Sequence, residues 1–301
     1  MAEISAQLVK QLRDATAAGM MECKKALVEA NGDLNEAQVI LRKRGLATAA
    51  KKASRSAKEG LIGLYVSASG DQGLLVEVNC ETDFVAKTPD FVALVEEVKQ
   101  IILESKPADV AALRALPSKS EPGVSVADLL TNKIAKVGEN MGIPRFALVQ
   151  AAGTVGSYTH PGSKLVVLVD VTTKNPATKE TAAFKELVQD LAMQVAAADP
   201  KFLTKSDVTE EYIAKEKEIQ RARALAEGKP EKIVDKVVEG RMSNFYEEVC
   251  LLDHPFIKEN SVTITQLLAD KSKQLGDDLG VASFVRFKVG ETATAEEPAA
   301  E

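Results

Sequence analysis

One short segment of the 301-residue chain concentrates side chains that could do chemistry: residues 79–87 read Asn-Cys-Glu-Thr-Asp-Phe-Val-Ala-Lys. Cys80 and Asp83 are of the types that serve as nucleophile and acid, but a cysteine nucleophile needs a neighbouring base. The only two histidines of the chain, His160 and His254, are remote from it in sequence. A free cysteine that ends an apolar strand is more often a small core residue. The spacing therefore does not favour catalysis by this chain.

Phe84 is the other unusual residue of this segment, because a large apolar side chain occupies a polar connection. It follows a predicted strand and precedes a helix that Pro89 or Asp90 begins. If exposed, Phe84 would be an apolar anchor for a partner protein. Phenylalanine is usually buried, however, so the pattern alone favours a Phe84 that folds back onto its own core.

A second candidate surface lies near the N-terminus. Met20, Cys23 and Leu27 recur on one face of a predicted helix, which we expect to be buried. Met21 lies off this face beside Lys24, so the two are expected to point outwards as a small apolar patch with a cationic rim. An ordinary solvated helix face is the alternative.

The chain has a net charge of -6, and its charged residues are distributed unevenly along the sequence. Residues 1–58 hold 11 Lys and Arg against 6 Asp and Glu, whereas residues 59–301 hold 27 against 38. A basic module thus precedes an acidic body. The cations between residues 42 and 58 could contact phosphates. No aromatic residue is interleaved with them, which argues against sequence-specific nucleic-acid recognition.

Composition and motifs exclude several kinds of site. Cys23, Cys80 and Cys250 stand too far apart for a Cys-x-x-Cys metal site or a disulfide framework. The sequence has no glycine-rich phosphate-binding loop ending in Gly-Lys-Ser/Thr, so we expect no direct nucleotide binding. No apolar run approaches the roughly 18 residues of a membrane span, and the first residues do not resemble a signal peptide. We expect a cytoplasmic protein with no cofactor and no metal.

Periodicity predicts a small helical module over residues 1–46. Apolar residues recur at helical spacing in three stretches, 4–12, 20–30 and 34–41. Asn31-Gly32 should end the second helix, and Asp33 should cap the third, which we expect to end before Gly45. Three short helices favour a bundle of the ubiquitin-associated type. Residues 47–59 are predicted as a basic, helical linker.

The larger body contains an internal repeat, in which a strand hairpin precedes an amphipathic helix. In the first half, residues 60–144, this helix begins near Phe91. In the second half, residues 145–290, the two strands of the hairpin are predicted at 146–151 and 165–171. The predicted fold class is therefore α+β, with a duplicated core and antiparallel sheets.

An inserted antiparallel helical hairpin is predicted over residues 206–249. Tyr212, Ile219 and Ala226 have heptad spacing on its first helix, which suggests coiled-coil character and a possible homodimer contact. Residues 291–301 have four Glu and no basic residue, so they are predicted to be disordered.

Taken together, these motifs resemble the bacterial elongation factor Ts family over residues 1 to about 290. The matching segments are 12–16 (LRDAT), 19–27 (GMMECKKAL), 79–87 (NCETDFVAK), 138–140 (GEN), 156–160 (GSYTH) and 240–242 (GRM). Ala17 stands where the family usually has glycine, which makes the first interhelical turn slightly less permissive.

The resemblance implies roles for three sets of residues. One set matches the segment that displaces Mg²⁺ from a partner GTPase, with the phenylalanine as a wedge between partner helices: Thr82, Asp83, Phe84 and Val85. A second set matches the N-terminal contact surface: Arg13, Met20, Met21 and Lys24. A third set matches core contacts more loosely: Gly142, Ile143 and His160.

The implied function is that of a translation elongation factor and not of an enzyme. Such a protein would bind elongation factor Tu in its GDP form and promote GDP release by displacing Mg²⁺, so that GTP can bind. The alternative is an adaptor or chaperone-like interaction protein that uses the N-terminal helical module. A third possibility is an RNA-associated factor that uses residues 42–58.

Overall fold

The computed structural model describes residues 4–16 and 18–294, so Ala17 and residues 295–301 of the predicted tail lie outside the described residues. The helices are α1 (Ala6–Thr16), α2 (Met20–Glu29), α3 (Leu34–Lys52), α4 (Asp83–Ala86), α5 (Pro89–Ser105), α6 (Val110–Ala115), α7 (Val126–Val137), α8 (Ala182–Ala198), α9 (Glu210–Ala226), α10 (Glu231–Val249) and α11 (Ile264–Leu275). The strands are β1 (Glu59–Val66), β2 (Gln72–Cys80), β3 (Met141–Gln150), β4 (Thr154–Thr159), β5 (Leu165–Thr173), β6 (Pro255–Phe256), β7 (Glu259–Thr263) and β8 (Leu279–Lys288). The fold is α+β, as predicted.

Contacts divide the chain into two compact units. The first contains the described residues up to Tyr65, Leu74–Leu148 and the residues from Phe287 on, and the second contains Val66–Gly73 and Val149–Arg286. The finer domain division drawn from the sequence stays a prediction. None of the helices in the described ranges has the length and hydropathy needed to cross a bilayer.

The first three helices enclose a small core of their own, with Leu12, Cys23 and Leu27 fully buried. The turn before α3 has positive φ at Asn31 (50°) and Gly32 (88°), which is the conformation that an Asn-Gly pair adopts readily. This turn brings the chain back, so that α3 packs against α2.

Asp33 caps α3, which confirms the prediction. Its Oδ1 accepts the backbone N–H groups of Asn35 at 2.8 Å and of Glu36 at 2.9 Å. The expected end of α3 before Gly45 was wrong, because the helix continues to Lys52. The residues after Gly45 are rich in alanine, which favours helix continuation, and Gly45 itself is buried close to α7.

Replacing Asp33 with alanine is expected to destabilise the first turn of α3 by about 1 kcal/mol, because two N–H groups lose their acceptor. Hydrogen exchange at the Asn35 and Glu36 amides measures this directly and should be faster in the variant. Gln38→Ala, at an exposed position more than one helical turn beyond the cap, is the matched control. Equal protection in the Asp33→Ala and wild-type proteins would contradict the capping role.

The first sheet has the strand order β1-β2-β3 and packs against α5 and α7. The apolar face of α5 is buried as its periodicity predicts, from Phe91 through Leu94 and Val98 to Ile102. The predicted pairing of 146–151 with 165–171 was wrong, because residues 146–150 belong to β3 in this sheet. The sequence indicated a strand there but not its neighbour.

The second sheet has the order β4-β5-β8, and α8 packs on it. Strand β4 pairs antiparallel with β5, with Thr154 opposite Val171 and Thr159 opposite Val166. The sequence of β4, Thr-Val-Gly-Ser-Tyr-Thr, has few apolar residues and did not suggest a strand. Its glycine has a packing reason, since a Cβ at Gly156 would collide with Val188 of α8.

Helices α9 and α10 form the predicted hairpin. Val234, Val238 and Phe245, which recur at helical spacing, are buried on α10. Of the heptad-spaced residues of α9, Tyr212 contacts α10, since its ring stacks on that of Phe245 with 5.8 Å between the centroids, whereas Ile219 is 49% exposed. The short side chain of Ala224 is buried there instead, which lets the two helices approach closely. Homodimerisation through the hairpin stays a prediction.

Candidate functional site

Phe84 lies on α4, a single helical turn between β2 and α5, and is 79% exposed. The burial that the pattern alone favoured was wrong. Val85 packs against the core of the first unit and Ala86 is buried, so these two residues occupy the inward positions of the turn. Consecutive residues of a helical turn point in different directions, and Phe84 is therefore directed into solvent.

The start of this turn is held by Glu139, which is 57 residues away in sequence from Thr82. One carboxylate oxygen of Glu139 accepts the backbone N–H groups of Glu81 at 3.2 Å and Thr82 at 3.1 Å. Its other oxygen accepts the Thr82 hydroxyl at 2.7 Å. The Thr82 hydroxyl oxygen in turn accepts the N–H of Val85 at 3.4 Å, which caps the turn.

Glu81, in the loop before Phe84, in turn binds the residue that follows Glu139. Glu81 accepts the backbone N–H of Asn140 at 2.5 Å and pairs with Arg55 at 2.6 Å. The side-chain amide of Asn140 donates to the carbonyl of Arg55 at 2.7 Å. The loop before Phe84, the start of β3 and the segment after α3 thus form one hydrogen-bonded unit.

The end of the turn is also fixed. Thr88 donates its hydroxyl to the carbonyl of Val85 at 2.7 Å and accepts the N–H of Phe91 at 3.3 Å, so it caps α5. Pro89 follows as the first residue of that helix, as the sequence predicted. Lys87 forms an exposed ion pair with Asp83 at 2.6 Å, which contributes little to stability. Phe84 is therefore presented on a rigid support.

Cys80 has a structural environment and not that of a nucleophile. It is fully buried, and its thiol donates to the carbonyl of Thr82 at 3.2 Å. Burial, with a smaller contribution from the charge of Glu139, raises the pKa of the Cys80 thiol to about 12. At neutral pH the thiol is protonated, and a protonated thiol is a poor nucleophile.

The N-terminal candidate residues lie on the surface of the helical module. Met20 is 56% exposed and Met21 is 64% exposed, and Lys24 is exposed beside them. The expectation that Met20 belongs to the buried face was wrong, because this face consists of residues further along α2. Met20 is the first residue of α2 and lies outside the core. Arg13, on α1, is half-buried and pairs with Asp14 at 3.0 Å.

Of the three candidate core contacts, Gly142 and Ile143 lie in the first unit and His160 lies in the second. Gly142 is half-buried and Ile143 is only 1% exposed, and both follow the Glu139–Asn140 pair at the start of β3. The structure therefore brings them to the same support as the Phe84 turn. His160 lies in the second unit, exposed in the turn between β4 and β5, with its Nδ1 3.2 Å from the hydroxyl of Tyr158.

The sequence pattern assigned no role to Glu139 and Asn140, and it placed Arg55 only among cations that could contact phosphates, although all three fix the Phe84 turn. The only signal was the motif Gly138-Glu139-Asn140, noted for its resemblance alone. The contacts of this motif with residues 81 and 82 join residues that are 57 to 59 positions apart in the chain. Periodicity and spacing describe only neighbours in sequence, so they could not predict these contacts.

The sequence is similar to those of known proteins. The family model described as Elongation factor TS matches residues 81–291. A protein named elongation factor Ts from Clostridium perfringens (strain SM101) is 45% identical over 289 residues, covering 96% of this chain and 93% of the relative. One from Clostridioides difficile (strain 630) is 45% identical over 291 residues, with 97% and 94% covered, and one from Nitratidesulfovibrio vulgaris (strain DP4) is 44% identical over 298 residues, with 98% and 99% covered.

The protein is accordingly a translation elongation factor. More specifically, the chain belongs to the elongation factor Ts family.

Proposed function

We propose that this protein is a guanine nucleotide exchange factor that binds elongation factor Tu in its GDP form and accelerates GDP release. The observation that best supports the proposal is Phe84, a phenylalanine 79% exposed on a turn that is fixed at both ends. A side chain of this type at the surface of a soluble protein gains stability when a partner buries it. Complete burial of a phenylalanine contributes about 1.5–3 kcal/mol.

The rigidity of the Phe84 turn matters because ordering a flexible loop on binding would consume part of that energy. Hydrogen bonds to Glu139 and from Thr88 already fix the backbone on either side. The free energy of burying Phe84 is thus available to displace partner side chains and the Mg²⁺-binding loops attached to them. Thr82 and Val85 hold the turn that positions the Phe84 side chain, and Asp83 precedes Phe84 in that turn.

Displacement of Mg²⁺ follows from the chemistry of the ion. Mg²⁺ requires near-octahedral oxygen coordination at about 2.0–2.1 Å, so a small shift of its ligands weakens its binding. Without the ion, the phosphate charges of GDP are less well neutralised and GDP dissociates faster. The coupling is reciprocal, because GDP must weaken the binding of this protein by the same factor, typically about 5- to 150-fold. GTP then binds to the emptied site.

The N-terminal module would supply most of the affinity through Met20, Met21 and Lys24, with Arg13 at the edge of the surface. Two exposed methionines adapt to a partner surface because their side chains are flexible and polarisable. Gly142 and His160 would add contacts from the core. Because Ile143 is buried, its contribution would be to place the backbone beside it and not to touch the partner.

We expect Met21→Ala and Lys24→Ala each to weaken partner binding by about 3- to 10-fold, with little effect on GDP release at saturating concentration. Titration of elongation factor Tu with each variant measures the effect, and that of Lys24→Ala should shrink at high salt. Val39→Ala, which truncates an exposed apolar side chain on α3, is the control. Unchanged affinity for both variants would remove the N-terminal contact from the proposal.

Release of a fluorescent GDP analogue from elongation factor Tu tests the proposed function. Adding this protein at micromolar concentration should accelerate release in the presence of Mg²⁺. Unchanged release would contradict exchange activity and favour the adaptor alternative, in which the helical module binds other partners.

A further inference from the structure

A cavity of about 470 Å³ opens in the first unit where the segment after α3 meets the start of β3. Three cationic side chains line it, from Arg55, Lys58 and Arg114. The segment Gly142–Pro144, which includes two of the residues proposed above as core contacts, also lines it. The cavity thus joins a group of cations to a surface assigned to the partner.

The cations of this cavity are only partly neutralised. Arg55 pairs with Glu81, whereas Lys58 and Arg114 are exposed and have no ion-pair partner among the residues that the structure describes. Arg55 and Lys58 belong to the basic segment 1–58, and together with Arg114 they concentrate positive charge at this cavity. Charges in a concave site with low-dielectric walls attract an opposite charge more strongly than charges on a flat surface do.

Asn79 gives a second, independent indication of a ligand. This residue lines the cavity and is 4% exposed. Its side-chain Nδ2 donates to Glu77 at 3.0 Å, which fixes the orientation of the amide. Its Oδ1 has no hydrogen-bond partner among the described groups. Buried acceptors are rarely left unpaired, so an occupant of the cavity should bring an N–H or O–H donor.

We propose that this cavity receives an acidic peptide segment of the GTPase partner, an inference that rests on the proposed function. A carboxylate of the segment pairs with Lys58 and Arg114, and an N–H of the same segment donates towards Asn79 when it docks. A peptide supplies both groups together, whereas inorganic phosphate or an RNA backbone supplies mainly the anion. The Gly142–Pro144 wall packs along the segment and sets its direction.

Charge reversal at Lys58 and Arg114 tests the proposal, because both side chains are exposed and neither supports the fold. The double variant Lys58→Glu/Arg114→Glu should bind elongation factor Tu about tenfold more weakly than the wild type. Its affinity should also depend less steeply on salt. The rate of GDP release at saturating concentration should be unchanged, since the Phe84 turn is intact.

Lys215→Glu/Lys232→Glu is the matched control, because it makes the same change of charge at two exposed positions on the helical hairpin. Its affinity should stay within about twofold of wild type, which separates a specific contact from a general effect of net charge. Equal weakening by both double variants would overturn the cavity assignment. Wild-type affinity of the Lys58→Glu/Arg114→Glu protein would also overturn it.

Two further outcomes separate this inference from the proposed function. If the wild-type protein binds elongation factor Tu but does not accelerate GDP release, exchange fails while the affinity comparison still tests the cavity. If inorganic phosphate or a short oligoribonucleotide binds in a manner that requires Lys58 and Arg114, while partner affinity is unaffected by the double variant, the cavity binds phosphate and the peptide proposal is overturned.

Discussion

Phe84→Ala is expected to lower the catalytic efficiency of GDP release by about 10- to 150-fold, the equivalent of the 1.5–3 kcal/mol that burial of a phenylalanine contributes. The side chain is 79% exposed in the free protein, so its truncation leaves no cavity in the core. Folding stability should therefore change by less than about 0.5 kcal/mol. The loss should appear mainly in the exchange rate at saturating concentration, because the N-terminal contacts remain.

The measurement is GDP release over a range of concentrations of the variant, with circular dichroism and thermal unfolding to verify its fold. Val92→Ala is the matched control, since Val92 is a 42% exposed apolar residue on the neighbouring helix α5. The control should exchange at the wild-type rate. Wild-type stimulation by a folded Phe84→Ala protein would refute the wedge.

Glu139→Ala is expected to have the second largest effect, although Glu139 is not proposed to touch the partner. The substitution removes the acceptor of three hydrogen bonds, from the N–H groups of Glu81 and Thr82 and from the Thr82 hydroxyl. Each such bond contributes about 0.5–1.5 kcal/mol. We expect a stability loss of about 1.5–4.5 kcal/mol for the three bonds and a fall in exchange rate of about tenfold or more, because the freed turn must be ordered on binding.

Hydrogen exchange separates positioning from general destabilisation. Protection of the Glu81 and Thr82 amides should fall in Glu139→Ala, while that of the α5 core should change much less. Glu139→Gln keeps one acceptor oxygen and should restore part of both the protection and the exchange rate. Full exchange activity in a Glu139→Ala protein whose turn has lost its protection would show that rigidity of the turn is not required.

The amphipathic elements were predictable because a helix buries residues that recur with its own period. Phe91 and Leu94 of α5, and Phe184 and Leu187 of α8, are buried as their spacing indicates. The cap at Asp33 was predictable for a similar reason, since a cap and its helix are neighbours in sequence.

Other features depend on contacts that the local pattern does not contain. Phe84 is exposed because its neighbours Val85 and Ala86 occupy the inward positions of the turn, and residue type alone favoured the opposite. Strand β4 was missed because the approach of α8 requires a glycine at position 156 in place of an apolar side chain. The Glu139 contacts were missed because they join residues far apart in the chain.

If Mg²⁺ is displaced before GDP leaves, the rate of GDP release must depend on Mg²⁺ in a way that reveals this order. The rate should be measured with saturating wild-type protein and with Phe84→Ala, at millimolar Mg²⁺ and in excess chelator. Wild-type protein at millimolar Mg²⁺ should raise the rate towards that of elongation factor Tu in chelator alone, whereas Phe84→Ala should not. Stimulation by the same factor with and without Mg²⁺, or no stimulation at all, would contradict displacement of Mg²⁺ before GDP release.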